Sequence, residues 1–119
     1  MTPELNTIIN GDCLTILKTL PDKCVDIVFY DPPYNVGKEY DGYEDNLSES
    51  AYEVWTNQVA RECERVSRTG VIVYIAGKLT RLFGNVYPNA HLIIVEKRAA
   101  GVLAGNYILL IHLRHVSLR

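Results

Sequence analysis

The run Val25-Asp26-Ile27-Val28-Phe29-Tyr30-Asp31-Pro32-Pro33-Tyr34 constrains the fold more than any other part of the chain. Val25, Ile27, Val28, Phe29 and Tyr30 form a short, nearly continuous apolar segment. This is the pattern of a central strand in a parallel sheet with both faces covered. Pro32 and Pro33 carry no N–H for a sheet ladder, and each restricts the residue before it. The backbone must therefore leave the sheet there in an extended turn. In open α/β sheets, ligands bind beyond the carboxyl ends of the strands. Asp31 and Tyr34 place a carboxylate and an aromatic ring at such an end and are the first candidate functional residues.

The flanking segments supply this strand with neighbours. Residues 7–10 read as a short strand closed by Gly11-Asp12, and Asp12 suits the N-cap of a helix with Leu14, Leu17 and Leu20 on one stripe, ended by Pro21. Strand, helix and strand in that order make a right-handed parallel βαβ unit. Residues 35–46 hold four acids and two glycines without hydrophobic periodicity, which predicts a mobile, solvated loop. Ser50 and Glu53 fit a capping box. The helix they open carries Tyr52, Trp55, Val59, Cys63 and Val66 on one face, with Arg61, Glu62, Glu64 and Arg65 in water and Gly70 as its stop. A buried strand at 71–75, a short helix at 78–83 broken by Gly84 and Pro88, and a strand at 91–96 follow. A connection over 99–105 then leads to a last strand at 107–113. The expected fold class is α/β: a partial doubly wound sheet, mostly parallel, with an antiparallel last strand, in one domain over residues 1–119.

Composition narrows the function. No apolar run reaches membrane-spanning length, and the first residues lack the basic head and apolar centre of a signal peptide. Cys13, Cys24 and Cys63 are odd in number and widely spaced, which points to neither a zinc site nor a disulfide framework. A cytoplasmic protein with reduced thiols is expected. His91, His112 and His115 suggest no metal. The formal charge is -6 over residues 1–96 and +4 over 97–119, a basic end read as ordinary solvated surface.

Asp31-Pro32-Pro33-Tyr34 after an apolar strand resembles the catalytic motif of the S-adenosylmethionine-dependent DNA amino-methyltransferases, in the form typical of adenine-specific members. Asn10-Gly11-Asp12-Cys13, Leu17, Leu20-Pro21-Asp22, Val25-Asp26 and Asn35 extend the likeness to the members that place this motif near the N-terminus. The helix around Trp55 ending in Gly70, and Val95-Glu96-Lys97, also follow the family pattern. The resemblance implies site-specific methylation of the exocyclic amine of adenine, flipped out of double-stranded DNA, as in restriction-modification systems, with S-adenosylmethionine as cofactor.

The residues suit that chemistry. An aromatic amine is a weak nucleophile, and acceptors on its protons localise the lone pair and offset the charge that grows as a methyl arrives. Asp31 supplies one acceptor and the Pro32 carbonyl another, with its direction fixed in advance by the two prolines. Tyr34 offers a ring face to the flipped base. The catalytic set is thus Asp31, Pro32, Pro33 and Tyr34. The resemblance also implies a cofactor-binding set of Asp12, Cys13 and Asp31, with Asp12 accepting from the cofactor's adenine amine as well as capping its helix.

The glycine-rich Phe-x-Gly-x-Gly segment of such enzymes has no counterpart here, since residues 101–105 read Gly-Val-Leu-Ala-Gly. By the resemblance the chain is truncated. The strand at 25–30 would then have an unpaired apolar edge. Four outcomes follow: the N-terminal strand shifts over, a second copy pairs there as a homo-oligomer, a separate chain completes the enzyme, or the protein is a remnant. Self-association is the expectation. The rival function is a non-catalytic binding or assembly module of methyltransferase descent. A third reading is methylation of another planar amide or amine, in protein or RNA.

Overall fold

A computed structural model describes residues 4–37, 39–40, 43–99 and 102–114. Its centre is a four-stranded sheet in the order β1 (Val25–Tyr30), β4 (Ser67–Ala76), β6 (Val102–Leu113), β5 (His91–Ala99). A separate two-stranded ribbon joins β2 (Glu39–Tyr40) to β3 (Tyr43–Glu44). The helices are α1 (Cys13–Thr19), α2 (Glu49–Val66) and α3 (Thr80–Val86), the last entered through a 3₁₀ turn at Gly77–Leu79.

The α/β class holds, but the sheet is mixed rather than mostly parallel. β1 pairs parallel with β4, Val28 opposite Val71, because α2 carries the chain back between them. β6 lies between β4 and β5 and runs antiparallel to both. β4 and β5 do point the same way, yet β6 separates them, so only one neighbouring pair in this sheet is parallel. The antiparallel last strand is as expected. The expected strand at 7–10 is absent: these residues are unassigned, and Ile8 is fully exposed. Among the described residues there is therefore no βαβ unit before β1, and β1 is the edge strand of the sheet they form.

Burial alternates residue by residue along 71–76 of β4 and 107–111 of β6 and so gives the centre of the sheet two faces. Val71, Val73 and Ile75 of β4 and Ile108 and Leu110 of β6 are buried against Val59, Ala60 and Cys63 of α2 and Phe83 of α3, with Leu14 and Leu17 of α1 packed alongside. The three helices thus cover one face. On the other, Ile27 and Phe29 of β1 are 47% and 62% exposed, which overturns both the doubly wound arrangement and the fully covered β1.

Local chemistry sets the element ends. Asp12 caps α1, accepting from the Thr15 backbone and hydroxyl at 2.9 and 2.7 Å. These two bonds hold its carboxyl below the usual range. At the far end Arg65 is half-buried rather than in water: it donates to the Leu17 and Leu20 carbonyls at 2.9 and 2.8 Å, and to Asp22 at 2.8 Å. Two carbonyls at the end of α1 and the carboxylate just beyond it are thereby tied to α2. The N-cap of α2 is Ser48, which accepts from Ala51, so the serine–glutamate box at Ser50 does not form. Gly70 lies within β4, not at a helix end; a Cβ there would sit 2.2 Å from the His112 carbonyl oxygen of β6. α3 runs through Gly84 and stops at Val86, before Pro88. The connection between β5 and β6 is shorter than expected, since β6 begins at Val102.

Candidate active site

β1 delivers Asp31 to solvent at its carboxyl end. The strand is anchored just before this point: the half-buried Tyr30 hydroxyl meets that of Tyr87 at 3.0 Å, and burial pushes the acidity of both well away from neutral pH. Pro32 is buried and Pro33 half-buried, so the extended turn that the two prolines impose is packed rather than free. Tyr52 of α2 donates to the Pro33 carbonyl at 2.5 Å.

Tyr34 folds back over this turn. Its hydroxyl donates to the Asp31 carboxylate and, at 3.3 Å, to the Tyr74 carbonyl. Burial first, then the Asp31 charge, pushes the Tyr34 hydroxyl far above its ordinary acidity range, so it remains a donor. The ring lies 6.5 Å from that of Tyr107, which stacks on Tyr74 at 5.1 Å and 6°. The candidate acceptor and the candidate stacking ring therefore touch each other.

The segment after Tyr34 is held from below. Asp45, 3% exposed, accepts from the Asn35 and Val36 amides at 2.8 and 3.1 Å, and its own carbonyl accepts from Gly37 at 2.7 Å. Asn35 adopts a left-handed φ of 58° and donates its side-chain amide to the Leu47 carbonyl at 2.7 Å. The expectation of a solvated loop over 35–46 fails here: this stretch contains a buried carboxylate and a short ribbon, although residues 38, 41 and 42 lie outside those described. Nothing in an acid-rich loop marks one of its acids as buried. Tyr52 was legible as a core residue, but not as a donor to the turn.

Two hollows flank the tip. One, of about 360 Å³, is apolar: Ile16, Val28 and Trp55 form walls, Cys13 lies in its lining, and Asp31, Pro32 and Pro33 form one end. The other, of about 640 Å³, is polar and is lined by Tyr34, Asn35, Lys78, Arg81, Asn85 and two glutamates of α2, Glu49 and Glu53. Of the sequence-derived candidates, Cys13, Asp31, Pro32 and Pro33 meet at the first hollow, and Tyr34 borders the second. Asp12 lines neither, and its carboxylate is occupied at the cap. Burial raises the Cys13 thiol above its ordinary range, reinforced by the Asp12 charge. The deeper Cys63 thiol is pushed up to about 12 by burial.

A carboxylate and an aromatic ring thus stand beyond the end of β1, between an apolar and a polar hollow, at the strand end where open α/β sheets bind their ligands. Residues 25–111 match the family described as DNA methylase, and the chain belongs to that family. It is 43% identical over 72 residues to the DNA adenine methyltransferase YhdJ of Escherichia coli (strain K12), covering 60% of this chain and 24% of the relative. It is 44% identical over 73 residues to the Type II methyltransferase M.BamHI of Bacillus amyloliquefaciens, covering 60% and 17%. Against the Type II methyltransferase M.HinfI of Haemophilus influenzae it is 31% identical over 101 residues, covering 70% and 26%. The chain thus spans about a quarter or less of these relatives. Among the described residues, no helix is long and apolar enough to cross a membrane.

Proposed function

We propose that this chain carries the amine-binding half of a site-specific DNA methyltransferase acting on the exocyclic amine of an adenine flipped from the duplex. The observation that carries this reading is the position of Asp31: exposed at the end of β1, with an apolar hollow on one side and the Tyr34 ring on the other. The Asp31 carboxylate accepts one amine proton and the Pro32 carbonyl a second. The Pro33 carbonyl is already engaged by Tyr52, while no described group donates to that of Pro32. These fixed acceptors localise the amine lone pair, so the protein does not reorganise as charge develops. To let the amine in, Tyr34 must release Asp31, and its ring then stacks on the base.

The donor set of the apolar hollow fits S-adenosylmethionine. Trp55 and the aliphatic walls suit an adenosyl group, and Asp31 offers a counter-charge to a sulfonium, while the lining holds no cationic side chain for the amino-acid carboxylate. Bound there, the cofactor would supply an electrophilic methyl group. The binding roles of Asp12 and Cys13 are part of this proposal, as is a reducing, cytoplasmic setting, which suits the three free thiols.

The second reading is a non-catalytic module of the same descent. What favours it is the outer edge of β1, which no described strand pairs, together with exposed Ile27 and Phe29. We infer that a second copy or a completing chain pairs along this edge. Calorimetric titration with S-adenosylmethionine, followed by transfer of labelled methyl to duplex DNA, separates the two. The first reading expects heat of binding, and transfer that falls about 10²–10⁴-fold in Asp31→Ala. Absence of binding heat, or full transfer by Asp31→Ala, overturns the assigned role.

A further inference from the structure

We propose that Asp45 is a positioning residue for the Asp31–Tyr34 turn, a role that rests on the reading of Asp31 and Tyr34 as the amine and base contacts. Left-handed φ angles at Asn35 (58°) and Gly37 (81°) curl the backbone so that consecutive N–H groups converge. Such a curl is an anion cradle. Here its occupant is the protein's own carboxylate, with Asp45 Oδ1 on Asn35 N at 2.8 Å and Oδ2 on Val36 N at 3.1 Å. Asp45 is 3% exposed, and its main chain closes the arrangement by accepting from Gly37 at 2.7 Å.

This clamp begins at the residue after Tyr34. On the other side of Tyr34, the Pro33 carbonyl is held by Tyr52 of α2. The backbone of Tyr34 is therefore pinned at both ends, while its side chain is held through its hydroxyl by the Asp31 carboxylate and the Tyr74 carbonyl, bonds that a ligand must displace. A turn that must present Asp31, the Pro32 carbonyl and the Tyr34 ring in one geometry needs this support, because a displacement of about 1 Å at a reacting centre costs on the order of a hundredfold. The Asp45 carboxylate bonds the Asn35 and Val36 amides rather than the Asp31 carboxylate or the Tyr34 hydroxyl, so it acts on those groups through the backbone of the turn.

The test uses the 119-residue chain and does not depend on methyl transfer. Amide hydrogen exchange by NMR would be followed at Asn35 and Val36, with Val71 and Val73 of β4 as internal references. Nuclear Overhauser contacts between the Tyr34 and Tyr107 rings would report ring position. Asp45→Ala is expected to speed exchange at both loop amides about tenfold or more, the worth of a charge-assisted bond. It should also weaken the ring contacts while the β4 amides keep their protection. Asp45→Asn retains one acceptor oxygen and should restore protection at one of the two amides, which a general loss of packing would not do; it also serves if the alanine variant does not fold. Unchanged loop exchange and ring contacts in either folded variant overturn the proposal. A wild-type chain with protected loop amides but no cofactor or DNA binding counts against the methyltransferase reading and leaves the clamp standing.

Discussion

Asp31 and Tyr34 share a hydrogen bond, so the two halves of the candidate chemistry compete until a substrate arrives. Tyr34→Phe removes the competing hydroxyl and keeps the ring. It should leave binding of a duplex with a 2-aminopurine at the target position within a few-fold of wild type, whereas Tyr34→Ala should weaken it about 5- to 150-fold, the worth of one base–aromatic stack. Fluorescence titration of that probe distinguishes the pair, and equal losses in both variants would show that the hydroxyl, not the ring, is what matters. Asp12 divides by charge instead. Asparagine caps a helix as well as aspartate does, so Asp12→Asn should hold stability, while Asp12→Ala should cost about 0.5–2 kcal/mol in denaturant unfolding. If Asp12 also receives the cofactor's amine, both variants should weaken cofactor binding in calorimetry; normal binding by Asp12→Asn confines the residue to its cap. The thiols differ by burial. Cys63, raised from an ordinary 9.0 to about 12, is neutral across the physiological range. Its contribution is complete below pH 9 and is lost as pH climbs toward 12, because the unfolded chain releases that proton first. Iodoacetamide at pH 8 should therefore modify exposed Cys13 in the native protein and reach buried Cys63 only after denaturation, as peptide mass mapping would register.

Elements that carry their own instructions were legible in the sequence, and elements defined by a neighbour were not. β1 and α1 matched closely, because an apolar run stopped by prolines and a leucine stripe behind an aspartate cap are local patterns. The strand expected at 7–10 has equally good β-forming residues, but a strand exists only by pairing, and no described strand lies beside it. For the same reason the directions of β1, β4, β5 and β6 could be followed while their order could not: the insertion of β6 between β4 and β5 leaves no periodic trace. The candidate site divides likewise. Asp31 and Tyr34 stood out beside the prolines, whereas Asp45 is one of four acids in a polar stretch and is distinguished only by the amides that surround it. Gly70 was noticed as a helix stop, yet its smallness is needed between strands. Gly70→Ala should force β4 and β6 apart at His112 and cost about 1–3 kcal/mol. Thermal unfolding monitored by circular dichroism should show a midpoint several degrees lower; an unchanged midpoint would mean that the sheet yields there at no cost.

At the scale of the whole molecule, the described residues form one layer of helices on one face of the sheet and give the opposite face and the β1 edge no cover. Ile27 and Phe29 stand on one face of β1 and lie opposite Gly70 and Ile72 of β4 across the parallel register. An edge strand displaying such residues can template pairing with another strand unless something blocks it. The strand's one charge, Asp26, is exposed near its start and pairs with Arg68 of β4 at 2.6 Å, which leaves Ile27 and Phe29 as an apolar pair on the open face. Apolar area removed from water contributes roughly 25 cal/mol per Å², so even a modest interface over these side chains favours association at high concentration. Sedimentation velocity over a wide concentration range should show reversible self-association of the isolated chain. Phe29→Lys, which keeps the strand but places a charge on the open face, should shift the protein to monomer. Wild type that stays monomeric at the highest concentration would remove the case for pairing between copies, and the edge would then await a different chain. Wild type that associates equally well as Phe29→Lys would move the contact away from β1.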